Sequence, residues 1–472
     1  MKTEIVKPVL GNFISSLRDV GYTFEIAVAD VLDNSVAAGA KNVKILALSE
    51  PNPIFAMLDD GSGMTDKELV EAMRLATRNP DEQRKKDDLG RFGLGLKTAS
   101  FSQCQKLTVV TKKSGKVSSR QWDLKLLATE NEWLLITPDK AQLNTLPMFE
   151  ELEGVKNGTL VVWEGLDRYE KSNYVHEIDR LRRHLALVFH RFLEGITPGK
   201  RLKIGVNEND IKPFNPFNPE HRATQEFPHE TIKVRGSKIS VQPFVLPHHS
   251  NLSQQEYERY ATEEGYTKSQ GFYLYRANRL LIYGTWWGLH RAVDAHKLVR
   301  IKIDISNDQD RLWGIDIKKS TATPISDIRG DLSRIIGQVT EKGSRTYSHR
   351  GRKIADKTVI RFWQRLTSSD GKVRFAINQE HPLFRELVAT QKDSTLLETY
   401  LAGIQAYLPL EAIQAQLQQS PHELDQEGIF TDEEIDQLAE RLRRSSLDQK
   451  YVEEFLKTEM FKARQELLRK NG

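Results

Sequence analysis

Residues 29–39 read ADVLDNSVAAG, and inside that apolar run stand two carboxylates and an amide, Asp30, Asp33 and Asn34. Asp30 and Asn34 are four apart, so a helix puts them on one face. An Asn side-chain oxygen is a hard donor suited to Mg²⁺, an ion that keeps several waters and binds substrate phosphates. A carboxylate one turn earlier can take a proton from an attacking water. Further on, DDGSGM supplies Asp59, Gly61, Gly63 and Met64. A carboxylate there can accept a hydrogen bond from the exocyclic amine of adenine, and so can favour adenine over guanine. The stretch GRFGLGLK contains Gly90, Arg91, Phe92, Gly93, Leu94, Gly95 and Lys97. Its glycines let backbone N–H groups approach a phosphate, the following helix offers its N-terminus, and Lys97 adds a point charge. A fourth stretch, GTLVVW, brings Thr159 to the start of a strand. Each piece alone reads as a turn or a buried polar pair. The glycines run G-x-x-G-x-G, the reverse of the dinucleotide fingerprint, and no GxxxxGK[ST] occurs. The order and spacing of all four are far more specific.

The elements that must carry these residues are readable from periodicity. Ala27, Val28, Val31, Leu32 and Val36 fall at helical spacing over 23–38, with Gly39 as the stop. NVKILALSE alternates as a strand, and PIFAMLDDGSGM is a short strand running into a glycine turn. Thr65 and Glu68 form a capping box for the next helix. The polar segment 78–90 reads as a mobile loop. LTVVTKK, SRQWDLKLL and GTLVVWEGL are further strands. Helix, strands, helix, then a run of strands is α+β order rather than repeated βαβ. Near 200 the pattern resets to strands, including a hairpin GFYLYRANRLLIYG with Ala277 and Asn278 at its turn, and LVRIKIDIS. After 340 strands largely stop and helical segments follow, one capped by Thr431 and Glu434. The expected divisions are 1–200, 201–340 and 341–472.

The chain has 472 residues, 39% hydrophobic and 28% charged, which suits two or three globular domains. One cysteine, Cys104, excludes an internal disulfide and fits a reducing compartment and a core position. The N-terminus lacks the apolar core of a signal peptide, and no run of 18 apolar residues suggests a membrane span, so the expectation is cytoplasmic. The net charge of +4 is small, but its distribution is uneven. From 329 to 375, twelve Lys or Arg less four acids leave +8. That stretch reads either as a solvated helix-and-linker region or as a phosphate-contacting surface. His248 and His249 are adjacent, which is poor spacing for a tetrahedral zinc site.

With these four stretches in order, the chain resembles the GHKL ATPases, the group of gyrase B, the large heat-shock chaperones, histidine kinases and MutL. Their signatures E-x-x-D-N, D-x-G-x-G, G-x-x-G-x-G and a later Gly-Thr correspond here to Asp30–Asn34, Asp59–Gly63, Gly90–Gly95 and Gly158–Thr159. The resemblance spans about residues 10–200. It implies a Bergerat-type α/β sandwich that binds ATP with Mg²⁺ under a lid formed by 78–90. It further implies that Asn34 is the metal ligand, with Asp33 a pocket or structural carboxylate. A ribosomal-protein-like transducer domain, as in the gyrase, MutL and MORC branch, would follow and send a lysine back to the γ-phosphate. WGIDIKKSTATP places Lys319 there, with Lys318 in reserve, since strand alternation points only one inward. DLGRFGLGLKTAS and WWGL look most like prokaryotic MORC-type ATPases, whose genes often accompany DNA-processing or antiviral systems.

One position departs from the pattern. The general base of that family is Glu, and here Asp30 stands in its place, shorter by one methylene or about 1.3–1.5 Å. Glu25 is some 140° round the helix and does not replace it. The expectation is a slow Mg-dependent ATPase acting as an ATP-gated homodimeric clamp on DNA, through 329–375, or on an effector protein. The alternative is a nucleotide-sensing scaffold with little turnover. A histidine kinase fits poorly, because no helical segment with a phosphoacceptor His precedes the sites.

Overall fold

The computed structural model describes residues 3–4, 8–75, 95–168, 174–196, 201–262, 265–316, 321–348, 359–367, 373–390, 395–419, 429, 431–444, 454–455 and 457–461. The expected lid at 78–90, the residues Gly90–Leu94 and both Lys318 and Lys319 lie outside these. Residues 1–246 with 260–340 form one compact unit, and 247–259 with 341–472 form another.

In the first unit, in chain order, are α1 (Leu10–Arg18), α2 (Phe24–Ala37), β1 (Asn42–Leu48), β2 (Ile54–Asp59), α3 (Asp66–Met73), α4 (Gly95–Gln103), β3 (Cys104–Lys113), β4 (Lys116–Asp123), α5 (Leu124–Glu130), α6 (Lys140–Asn144), α7 (Phe149–Gly154), β5 (Gly158–Leu166), α8 (Tyr174–Val188), α9 (His190–Glu194), β6 (Lys203–Val206) and β7 (Asn209–Asp210). The strands make one seven-stranded sheet in the order β4-β3-β5-β2-β1-β6-β7. All its pairings are antiparallel except β1 with β6. Side-chain alternation sends Phe55, Met57, Val109, Val161 and Trp163 to one face, where Ala27, Val31, Phe101, Leu181 and Leu185 of the helices cover them. Ala56, Leu58, Val110, Leu160 and Val162 point the other way, onto Leu143, Phe149 and Leu152 of α6 and α7. The sheet is thus covered on both faces, the α/β sandwich the sequence implied.

A second, six-stranded sheet follows, built from β8 (Gln225–Glu226), β9 (Glu230–Val234), β10 (Ser237–Val245), β11 (Gly271–Arg276), β12 (Arg279–Thr285) and β13 (Val299–Ile305). Its order is β12-β11-β13-β10-β8, with β9 also on β10. Phe217, Phe244, Tyr273, Tyr275 and Leu280 cluster with Leu187 of α8. The β11–β12 turn falls at Ala277 and Asn278, both at positive φ (48° and 71°), as the sequence predicted. The second unit holds the helices Pro382–Thr390, Thr395–Ala406, Leu410–Gln419 and Asp432–Arg444.

Three local readings differ. The first sheet runs on to Asp210, because β6 pairs in parallel with β1. SRQWDLKLL is strand only to Asp123, whose carboxylate then accepts from the N–H groups of Lys125 and Leu126 and starts α5. Beyond 340 a hairpin pairs Trp363–Thr367 with Val373–Ile377.

Candidate active site

Helix α2 carries the centre of the site. Eleven of its fourteen residues are buried, since it packs against the sheet on one side and against α4 and α8 on others. Its buried polar residues are therefore placed, not solvated. Asp30 and Asp33 are each 2% exposed, whereas Asn34 is open to solvent. The Asn34 amide nitrogen donates to the Asp30 carbonyl at 3.3 Å, and its Oδ1 takes no hydrogen bond among the described residues. The Tyr22 hydroxyl donates to Asp30 Oδ2 at 2.9 Å. Burial, and then the Asp30 charge, push the Tyr22 phenol well above its ordinary value, so it stays a donor. A Cβ built on Gly95 would lie 3.9 Å from Asp30 Oδ2, so the first residue of α4 stands beside this carboxylate. Of the residues singled out in the sequence, Gly95 and Asn34 each lie against Asp30, the first at its carboxylate and the second at its backbone carbonyl.

Asp59 ends β2 at the other side of α2. It lies opposite Val43 on β1 and Thr159 on β5. Its Oδ2 accepts from the Ser35 hydroxyl at 2.8 Å and its Oδ1 from the Gly61 N–H at 2.9 Å. Burial raises its carboxyl above the usual range, opposed by the Ser35, Gly61 and Thr159 donors. Gly63 has φ of +63°, and a Cβ there would meet the Lys112 carbonyl oxygen at 2.0 Å, so only glycine fits. The Met64 N–H donates to Thr111 Oγ1 at 2.9 Å, and that oxygen lies 3.2 Å from Thr159 Oγ1. The Asp59–Met64 turn is thereby fastened to the strand that carries Thr159.

Lys97 is 3% exposed, and its ammonium donates to the Ala72 carbonyl at 2.9 Å. Arg91, Phe92 and Leu94, with Gly90 and Gly93, lie outside the described residues, as do Lys318 and Lys319. The residues flanking the lysine pair are joined to each other: the Asp316 N–H donates to Thr321 O at 3.2 Å and the Thr321 N–H to Asp316 Oδ1 at 3.0 Å. The Asp316 charge also acts on Tyr22. Among the described residues no cluster of three or more His, Cys, Asp or Glu could hold a metal by itself. An Mg²⁺ ligated by one amide oxygen, water and substrate phosphates needs no such cluster, and Asn34 fits that role.

Sequence reasoning missed Tyr22, Ser35, Thr111 and Arg279. Ser35 directly follows Asn34 in the quoted run, and its position one residue on could have suggested it. Arg279 begins β12, yet its Nε donates to Asp33 Oδ1 at 2.8 Å and a terminal nitrogen is 3.6 Å from Asp30 Oδ1.

Residues 22–159 match the family described as "Histidine kinase-, DNA gyrase B-, and HSP90-like ATPase". Residues 22–159 therefore carry a domain of the GHKL ATPase family. Over 109 residues the chain is 33% identical to ATPase morc-1 of Caenorhabditis elegans, a stretch covering 23% of this chain and 12% of that protein. The chain thus matches about an eighth of that relative's length. A crystal structure of the ATPase and transducer domains of DNA topoisomerase II from Balamuthia mandrillaris superposes with a TM-score of 0.41 at 13% identity, over 70% of this chain and 86% of that one. Within the GHKL domain the match begins at Tyr22 and ends at Thr159, so it takes in Asp30, Asn34, Asp59 and Gly95. Among the described residues, no helix is long and apolar enough to cross a membrane.

Proposed function

We propose that this chain binds ATP with Mg²⁺ and hydrolyses it slowly. The observation that carries the reading is the meeting of Asp30, the exposed Asn34 and the first residue of α4 in one place. The α4 N-terminus offers backbone donors and a positive dipole end to an anion. Asn34 Oδ1 is the protein ligand for Mg²⁺, which when bound neutralises phosphate charge. Asp30 takes the proton of the attacking water. Asp59, Gly61, Gly63, Met64 and Thr159 form the adenine end. Arg91, Phe92, Leu94 and the glycines between Gly90 and Gly95 close over the phosphates, with Lys97 behind them, and Lys319 or Lys318 reaches the γ-phosphate.

In this reading residues 1–200 bind nucleotide, 201–340 transduce, and 341–472 deliver the output as an ATP-gated homodimeric clamp on DNA or on an effector protein, in DNA processing or antiviral defence. The likeness to morc-1 supports the branch. Within the basic region Arg334 pairs with Glu230 at 2.7 Å and Arg361 with Glu459 at 3.0 Å, so the DNA contacts fall to its other cations. Purified protein is assayed for ATP turnover with and without Mg²⁺ and duplex DNA. Its mass is measured by light scattering with a non-hydrolysable analogue. Turnover that requires Mg²⁺ and a doubled mass support the clamp; an unchanged mass removes it. DNA binding that does not weaken from low to moderate salt removes the phosphate contacts.

A second reading is favoured by one observation. Asp30 is both short and held by Tyr22 and Arg279. A nucleotide-sensing scaffold would retain ATP through gel filtration with little turnover.

A further inference from the structure

Asp30 and Asp33 lie three residues apart on one helix, each almost wholly buried. Buried carboxylates this close repel, and each needs a counter-charge or donors to remain in place. Among the described residues, a cation that meets both comes from the other sheet. Arg279 is 4% exposed, and it donates to Asp33 through Nε and lies against Asp30 Oδ1 through a terminal nitrogen. Its guanidinium carbon also sits 5.7 Å from the Phe189 ring, and Nη1 reaches the Leu280 carbonyl at 3.4 Å.

The hairpin that presents Arg279 is itself fixed. Arg276, at the end of β11, makes a buried two-point pair with Asp310 at 2.7 and 2.8 Å. Arg191 of α9 bonds Asn278 at the turn, pairs with Asp304 of β13, and stacks 3.6 Å over Tyr275. His190 bonds the Tyr275 hydroxyl at 2.8 Å. A rigid tip therefore delivers one guanidinium fork between two carboxylates of α2, a geometry a planar, always-charged group suits. Asp30 is then held from two directions, by Tyr22 on Oδ2 and by Arg279 on Oδ1.

We propose that Arg279 is a positioning residue: from the second sheet it holds the α2 carboxylates in place, so that the β11–β12 hairpin and the setting of Asp30 move together. The catalytic half of this inference rests on the proposed ATPase reading; the structural half does not. Four proteins are compared, wild type, Arg279→Lys, Arg279→Gln and Asp33→Asn/Arg279→Gln, by kcat and KM for ATP and by amide hydrogen exchange without nucleotide. Arg276→Gln serves as the control in exchange. The expected result for Arg279→Gln is a fall in kcat of tenfold or more with KM changed less than threefold, and faster exchange both in the hairpin and in α2. Arg279→Lys recovers part of kcat, since it keeps the charge and loses the fork. The double variant removes one buried charge along with its partner, so it regains stability but not kcat. Arg276→Gln, which loosens the hairpin but keeps the Arg279 fork, speeds exchange in the hairpin and, to a lesser degree, in α2. Full recovery of kcat in the double variant overturns the proposal, because Arg279 would then only neutralise Asp33. So does an α2 whose exchange is unchanged in Arg279→Gln. If Arg279→Gln does not fold, the lysine and double variants carry the same comparison. If wild type neither binds nor hydrolyses ATP, the ATPase reading falls, and the exchange data alone decide whether the hairpin holds α2.

Discussion

Two buried aspartates mark the two ends of the site, and their surroundings are of opposite kinds. Asp59 is held by neutral donors, a hydroxyl and backbone N–H groups, with no cation in contact among the described residues. Asp30 is held by a phenol and by a guanidinium. Fixed neutral dipoles suit recognition: they orient a carboxylate toward a donor on the ligand without changing its charge state over the reaction. A charged neighbour suits chemistry, where proton transfer must be controlled. In the proposed reading the same residue type serves a binding role on β2 and a reactive one on α2, and the distinction follows from what surrounds each.

The largest expected effect breaks the comparison at the reactive end. Asp30→Asn keeps the shape of the side chain and removes its basicity. ATP turnover should fall by roughly 10²–10⁴-fold, the usual worth of general-base assistance, with ATP affinity changed little. Single-turnover hydrolysis beside equilibrium binding measures both. Equal rates for wild type and variant would mean that Asp30 is not the base and that the two ends do not differ in role. Asp30→Glu sharpens the same point. The added methylene should raise turnover if reach is what makes hydrolysis slow, and should lower it if the hold of Tyr22 and Arg279 matters more.

Much of this site was legible before any coordinates. The strand Gly158–Leu166, the helix over 24–37 and the capping box at Thr65 follow from local periodicity and local chemistry, which act over a few residues. Asp30, Asn34, Asp59 and Gly95 were grouped through their order along the chain, and the fold does bring Gly95 to Asp30. Arg279 could not be read that way. It is 246 residues from Asp33, and an arginine opening a hairpin strand has no local feature that marks it. Helix α8 is not singled out by the sequence reading, because its stretch YVHEIDRLRRHLALV is rich in charge. The basic region was visible as composition only; the pairing of Arg334 with Glu230 on β9 depends on tertiary structure.

At the recognition end the effect is smaller and its sign depends on whether nucleotide is present. Asp59→Asn should weaken ATP binding by about tenfold or more, the cost of one misplaced charge-assisted hydrogen bond, and leave the rate per bound ATP nearly intact. Without nucleotide the same variant should melt higher at neutral pH. The folded carboxyl is raised by burial above its ordinary value of 3.8. Between that value and the raised one, the folded state binds more protons than the unfolded, so stability falls as pH rises through the window. An Asn carries no such loss: its oxygen can face the Gly61 N–H while its nitrogen donates to Ser35. Melting curves from pH 4 to 8 should therefore converge at the acid end and separate above it. Curves that stay parallel would mean that the Asp59 cage fully compensates burial.

The smallest effect separates the scaffold from both ends. Thr65 accepts from the Glu68 N–H, and Glu68 accepts from the Thr65 N–H, which closes the start of α3 directly after the Asp59–Met64 turn. Lys113 of β3 also bonds Glu68 at 2.8 Å, and together these hold its carboxyl down to about 2. Thr65→Ala removes one capping acceptor and should cost about 1 kcal/mol of stability, with turnover per bound ATP unchanged. Because the Glu68 carboxyl is depressed, its share of stability is present above its ordinary value of 4.5 and is lost as pH falls toward about 2. In Thr65→Ala that acid loss should shrink only slightly, since Lys113 and the backbone N–H of residue 65 still hold the carboxylate and the hydroxyl alone is gone. If turnover also fell, the cap would be acting on the site through the glycine turn, and the Asp59 end could not be treated as separate from the helix that follows it.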